Sequence, residues 1–249
     1  MKIQYCSDLH LEFHENKAFL KKNPLIPSGE ILILAGDIVP FAVMYQHHDF
    51  FDWIAENFEH TYWVPGNHEY YYSDIEHRTG ILHEKIRPNI DLVNNCTVVV
   101  NDVQLIFSTM WTKLSPQNQW IIQQNLSDFQ VIRDHGKPFM PYEYNRMYED
   151  CLEFIKMENK GRNSILITQH VPTFLNYPEK YKSDQINEAF AVELFSFIES
   201  SGFDYWIFGH HHYNPDQFEI GKTRMLTNQL GYIKYNEQQG FRHDCFINI

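Results

Sequence analysis

The chain is short of cysteine, of positive charge and of long apolar runs. Its four cysteines, Cys6, Cys96, Cys151 and Cys245, lie far apart and form no C-x-x-C pair. Neither a thiolate zinc site nor a disulfide framework is therefore indicated, and a reducing, cytoplasmic setting is expected. Lys plus Arg number 20 against 32 for Asp plus Glu, a net charge of −12, which argues against a sequence-independent grip on a nucleic-acid backbone. No apolar run approaches ~18 residues, so no membrane-spanning helix is expected. The opening MKIQYCSDLHLEF carries charge already at Asp8 and Glu12, and no signal-peptide core can be drawn in it. Repeats, low-complexity tracts and Gly/Ser linkers are missing too, and residues 1–249 read as a single domain.

Hydrophobic residues at 43% and charged residues at 21% are enough to build a sizeable core. Short β-rich runs recur at 3–6, 31–35, 61–64, 97–100, 103–107, 165–168 and 205–208. Helical patterns lie between several of them. Residues 49–58 place Phe50, Phe51, Ile54 and Phe58 near helical spacing, and residues 184–199 do so with Ile186, Phe190, Leu194 and Ile198, with Asp184 as N-cap. The alternation implies an α/β domain with a mostly parallel sheet. Residues 111–163 depart from it, with the polar run SPQNQ, a helical pattern over 144–157 and a loop signal at 135–138. They read as a helical and loop insertion packed on the sheet. The tail returns to strand-like runs at 224–227 and 245–249, which should extend or complete a second sheet.

Polar residues of the metal-ligand type fall where this alternation puts them to use. Asp8 and His10 follow the first run, Asp37 the second, Asn67 and His68 the third, His170 the run 165–168, and His210 and His212 the run 205–208. All lie just past the carboxyl end of an expected strand, the edge at which open α/β sheets bind ligands. Gly36, Gly66 and Gly209 each precede one of them, where a strand must turn and let backbone approach closely. Carboxylate, imidazole and amide oxygen without thiolate suit Mn, Fe or Zn. One bridging carboxylate allows two such ions, and a pair ~3.5–4 Å apart can hold a hydroxide and clamp the oxygens of an in-line displacement at phosphorus. Two divalent ions would also supply the positive charge that an acidic chain lacks for a phosphate.

The ordered set Asp8-Leu9-His10, Gly36-Asp37, Gly66-Asn67-His68-Glu69, His170 and Gly209-His210-His211-His212 resembles the calcineurin-like metallophosphoesterase superfamily. Gly-Asn-His-Glu alone would occur by chance roughly once in a thousand chains of this length, and the other blocks stand in order around it. The segments 7–13, 110–112 and 224–232 resemble a bacterial branch of uncharacterised members. The resemblance implies a sandwich of two sheets flanked by helices. It also implies that Asp8, His10 and His212 hold one metal, that Asn67, His170 and His210 hold the other, and that Asp37 bridges them. His68 would be the general acid for the departing alkoxide, a role worth ~10²–10⁴ in rate. The expected activity is hydrolysis of a phosphomonoester or phosphodiester, in a small molecule or nucleotide. A nuclease and a catalytically inactive metal-binding scaffold are the alternatives.

One departure stands out. Where the family's protein Ser/Thr phosphatases carry a second Asp after Gly-Asp, this chain reads Gly36-Asp37-Ile38-Val39-Pro40-Phe41, so the partner that orients His68 is not visible in the sequence. His211, between two expected ligands, should point elsewhere and is not expected to be a ligand, with a place on the substrate cleft as the alternative. His14, His47, His48, His60, His77, His83, His135 and His243 lack a partner at telling spacing and read as surface or satisfied side chains. Tyr70, Tyr71 and Tyr72 read first as core, with a ring on the substrate as the alternative. Trp111 and Asp128 are weaker candidates for the cleft wall, and Cys6 is expected in the core.

Overall fold

The structure, a computed structural model, describes all 249 residues. The first strands and helices are β1 (Lys2–Cys6), α1 (His14–Lys22), β2 (Ile31–Ala35), α2 (His48–Asn57) and β3 (His60–Val64). Four strands follow, β4 (Leu82–Arg87), β5 (Ile90–Asn94), β6 (Cys96–Val100) and β7 (Val103–Ser108). Next come α3 (Gln119–Asn125), α4 (Asp128–Val131), the short strands β8 (Arg133–Asp134) and β9 (Lys137–Pro138), and α5 (Pro141–Glu158). The chain ends with β10 (Ser164–Thr168), α6 (Phe195–Ser201), β11 (Tyr205–Ile207), β12 (Phe218–Ile220), β13 (Thr223–Leu226) and β14 (Phe246–Asn248).

Two six-stranded sheets result, in the orders β14-β1-β2-β3-β5-β4 and β12-β13-β11-β10-β7-β6. Strands β1, β2, β3 and β5 run parallel, as do β7, β10, β11 and β13; the remaining strands pair antiparallel. The two-sheet sandwich follows from side-chain alternation. All five residues of β2, ILILA, are buried. Ile31, Ile33 and Ala35 join the apolar layer that also holds Tyr5, Phe107, Ile165 and Ile207 from both sheets, while Leu32 and Leu34 face the helix-covered core. With successive side chains on opposite faces, only a strand covered on both sides can be apolar throughout. Each such Ile or Leu contributes about 1.5–3 kcal/mol by leaving water.

Residues 111–163 are the crossover from β7 to its parallel neighbour β10. Pro141 opens α5, the Met140 amide donates to the Glu143 carboxylate at 2.8 Å, and Tyr144, Met147, Cys151 and Ile155 face the core. Trp111 is fully buried against Phe139 and Tyr144.

Two expectations are corrected, and one hairpin is new. The helix expected over 184–199 is broken into a 3-10 turn, Gln185–Ala189, and α6. Phe190 turns its ring toward His210, 5.0 Å away, Ala191 bridges to Val171, and the Glu193 carboxylate accepts from the Phe174 and Phe195 amides, so tertiary contacts outweigh the periodic pattern. Asp184 does cap, but it caps the short turn. The tail divides its two runs. β13 enters the second sheet, whereas β14 closes the open edge of β1 in the first and adds Ile247 to the layer between the sheets. The hairpin β4–β5, which gave no expectation, extends the first sheet beyond β3.

Candidate metal centre

The carboxyl ends of β1, β2, β3, β10 and β11 open on one place. Asp8, His10, Asp37, Asn67, His68, His170 and His210 are all buried there, at the shared edge of the two sheets. The backbone is bent to achieve this. Asp8 (φ 56°), His10 (φ 46°), Asp37 (φ 53°), His210 (φ 83°) and His212 (φ 49°) all adopt left-handed conformations, which cost ~1–3 kcal/mol each and cluster where function holds them. Gly66 leaves room for a carboxylate, since a Cβ there would meet Asp37 Oδ1 and lie 2.8 Å from the Asp37 amide.

At one end, ligand atoms of Asp8, His10 and His212 lie within 4.8 Å of one another. His10 Nδ1–H donates to Glu12 at 3.3 Å and His212 Nδ1–H to Glu237 at 2.6 Å. These carboxylates leave both Nε2 atoms facing inward, 2.9 Å apart, with His212 Nε2 3.5 Å from Asp8 Oδ1. Burial lowers the pKa of His10, and the charge of His68 adds to it. His212 is opposite. Burial disfavours its charge, but Asp8 and Glu237 outweigh that and push it up to about 10, so a cation at Nε2 competes with a proton.

At the other end, Asn67 Nδ2 donates to Asp128 at 2.8 Å, which leaves Oδ1 buried without a partner. Both ring nitrogens of His210 are likewise buried and unpaired, and Nδ1 lies 3.7 Å from Asp37 Oδ2. The His170 ring packs on that of His210 at 4.3 Å. Its Nδ1–H donates to the Thr109 carbonyl at 3.2 Å, and its Nε2 lies 3.4 Å from the Tyr144 hydroxyl. Unpaired buried polar atoms cost ~1–3 kcal/mol each, so the donor set fits a cation that would satisfy Asn67 Oδ1 and His210 together. Asp37 lies between the two ends. Its Oδ1 accepts from the His68 amide at 2.9 Å, and despite burial the imidazoles of His68, His210 and His10 hold its carboxyl well below the usual range.

His68 stands beside the first end, its ligand-type atom within 4.8 Å of those of His10 and Glu12. Its Nδ1–H donates to Glu12 Oε1 at 3.0 Å, its Nε2 lies 3.2 Å from the Tyr232 hydroxyl, and its ring stacks on Tyr71 at 4.1 Å. Burial opposes protonation, but Asp37 first and Glu12 second raise the pKa. Glu12 is thus the orienting partner that the sequence hid. Only its position two residues after His10 and four after Asp8 could have suggested it. Glu237, Gln169, which donates to Asp8 at 3.1 Å, and Tyr232 carried no local signal. Glu69 is fully buried and accepts from the amides of Asp37, Ile38 and Gly66, which joins the second and third loops.

The weaker candidates sort themselves. Asp128 fixes Asn67, Tyr70 and Cys6 lie in the core, and Tyr72 is 73% exposed at the cleft. His211 lines the cleft with Nδ1 2.9 Å from Gln229 Nε2, while His60 and His83 pair with Asp91.

Comparison with known proteins decides the family. The model of the calcineurin-like phosphoesterase family matches residues 1–214. The chain belongs to that family. It is a metal-dependent phosphoesterase, and its fold is that of the family. Among relatives of this family member is the uncharacterized protein L509 of Acanthamoeba polyphaga mimivirus, 30% identical over 279 aligned residues that cover 99% of this chain and 96% of that protein. Among solved structures, the phosphopantetheinyl hydrolase PptH of Mycobacterium tuberculosis superposes with a TM-score of 0.70 at 12% identity, over 96% of this chain and 92% of that one. That likeness is one of fold. No helix of this phosphoesterase is long and apolar enough to cross a membrane.

Proposed function

We propose that the chain hydrolyses a phosphomonoester or phosphodiester of a small molecule or nucleotide, using two ions drawn from Mn, Fe or Zn. Asp8, His10 and His212 would hold one ion and Asn67, His170 and His210 the other, with Asp37 as the carboxylate shared between them. When bound, such ions draw in the phosphate and make water a nucleophile near neutral pH. The rest falls to side chains. Glu12 and Glu237 keep the inward nitrogens of His10 and His212 in position, and Asp128 turns the Asn67 oxygen inward. His68, with Nδ1–H on Glu12, presents Nε2–H to the cleft and protonates the departing alkoxide. The observation that carries this reading is the set of buried, unpartnered atoms on Asn67 and His210 beside Asp37. A cytoplasmic location and function as one domain over 1–249 belong to the same proposal.

The test is elemental analysis of the purified protein, with hydrolysis of 4-nitrophenyl phosphate and bis(4-nitrophenyl) phosphate in added manganese. Asp37→Ala should lose bound metal and turnover together. His68→Ala should keep its metal and lose turnover most for poor leaving groups. Metal loss in the His68 variant would contradict the role given to it.

A further inference from the structure

The cleft over the metal-ligand cluster encloses about 790 Å³, a volume that accommodates a small organic molecule (~300–1,000 Å³) rather than a phosphate alone. No lysine or arginine lines it; Glu12, Asp184 and Glu237 do. The nearest basic side chains stand at its margin or pair outside it, and Tyr181 and Gln46, which hold two of them, belong to the wall. Lys180 lies over the Tyr181 ring at 4.4 Å, Arg78 pairs with Glu84 at 2.8 Å, and Lys17 donates to the Gln46 carbonyl at 3.3 Å. A second anionic group on a substrate would meet these carboxylates with no lysine or arginine in the lining to receive it, the ions and imidazoles at the floor being taken up by the reacting phosphate and its leaving group.

The apolar share of the walls points the same way. Phe13 stands beside Tyr232 and His10 at one end of the cluster, with ring centroids 5.2 and 6.0 Å away, and Phe190 stands 5.0 Å from His210 at the other. Tyr72, Leu126 and Ile186 continue the lining between solvent and floor. Phe13 is 41% exposed and Tyr181 38%, so two aromatic rings stand where the cleft opens to water above its polar floor.

We infer that the site takes esters bearing a single phosphate on an uncharged aromatic or apolar group, and that the cleft discriminates against substrates with a further phosphate or carboxylate. This rests on the phosphoesterase reading above and narrows its substrate class. Aromatic faces would hold the organic part while the floor holds the phosphate.

Three non-hydrolysable probes test it by calorimetry on the manganese-loaded protein: methylphosphonate, phenylphosphonate and 4-phosphonobenzoate. Phenylphosphonate should bind about tenfold tighter than methylphosphonate, and the added carboxylate of 4-phosphonobenzoate should cancel that gain. Raising the salt concentration should narrow the gap between the two aromatic probes. Replacing Tyr181 by lysine should recover 4-phosphonobenzoate selectively. Equal binding of the two aromatic probes, or of methylphosphonate and phenylphosphonate, overturns the inference. Hydrolysis of 4-nitrophenyl phosphate in the same preparation separates the two levels. Turnover with the reversed probe order sinks the substrate class alone, whereas no turnover and no phosphonate binding sinks the phosphoesterase reading with it.

Discussion

Replacing Glu12 by glutamine should slow the phosphoesterase selectively on substrates with poor leaving groups. Glu12 Oε1 lies 3.0 Å from His68 Nδ1 and 3.3 Å from His10 Nδ1, with the Glu12 side chain 15% exposed. At that range and an effective dielectric of ~20, a charge pair attracts by about 5 kcal/mol before screening. Net values for hydrogen bonds to charged groups are ~1.5–3 kcal/mol, or about 1–2 pKa units. Glutamine keeps the shape and can still accept the Nδ1–H, but it lacks the charge that supports the imidazolium. The proton on His68 is then held more weakly. At a pH above the new pKa the acidic form becomes ~10–100-fold scarcer, and turnover of alkyl phosphates falls with it, while 4-nitrophenyl phosphate changes by only a few-fold. Because Glu12 also orients His10, metal affinity should weaken ~10–100-fold, so kcat is compared across a leaving-group series at saturating manganese. An equal loss for every leaving group at full metal occupancy, or no loss for any, would refute the reasoning.

Other expectations follow from the same contacts. Gly66→Ala would press a methyl group onto Asp37 and its backbone amide, lowering stability by about 1–3 kcal/mol in urea unfolding and reducing the metal found by elemental analysis. Removing divalent ions with EDTA should lower Tm by roughly 6–10 °C per ion relative to protein at free manganese of ~100 Kd, since each bound ion adds about 2.7 kcal/mol there; an unchanged Tm would deny a built metal site. Away from the centre, burial works against the charge of Asp91, yet Lys85 at 2.8 Å and His60 at 2.8 Å overcome it and lower the pKa. The folded-state pKa lies below the unfolded one, so this contribution is present above pH ~4 and is lost as pH falls through the folded value. Asp91→Asn should therefore cost about 1–2 kcal/mol at pH 7 in denaturant titrations, and the difference from wild type should shrink below pH ~4.

The local sequence determined where most of the strands lie, the β4–β5 hairpin excepted, and which loops carry ligand-type residues, because strand alternation, the glycines before Asp37, Asn67 and His210, and the Asp-x-His and Gly-Asn-His-Glu blocks are all short-range patterns. It also pointed to two sheets through the resemblance those blocks carry. What it could not express were pairings between distant segments. β14 on β1 and the broken stretch after Asp184 are settled by which open edge or ring awaits them. The same holds in the metal centre. Glu12 to His68, Asp128 to Asn67 and Glu237 to His212 join residues 56, 61 and 25 positions apart. A carboxylate's task there depends on which imidazole or amide folding brings within 3 Å of it, and that is decided by the packing of two sheets, not by neighbours along the chain.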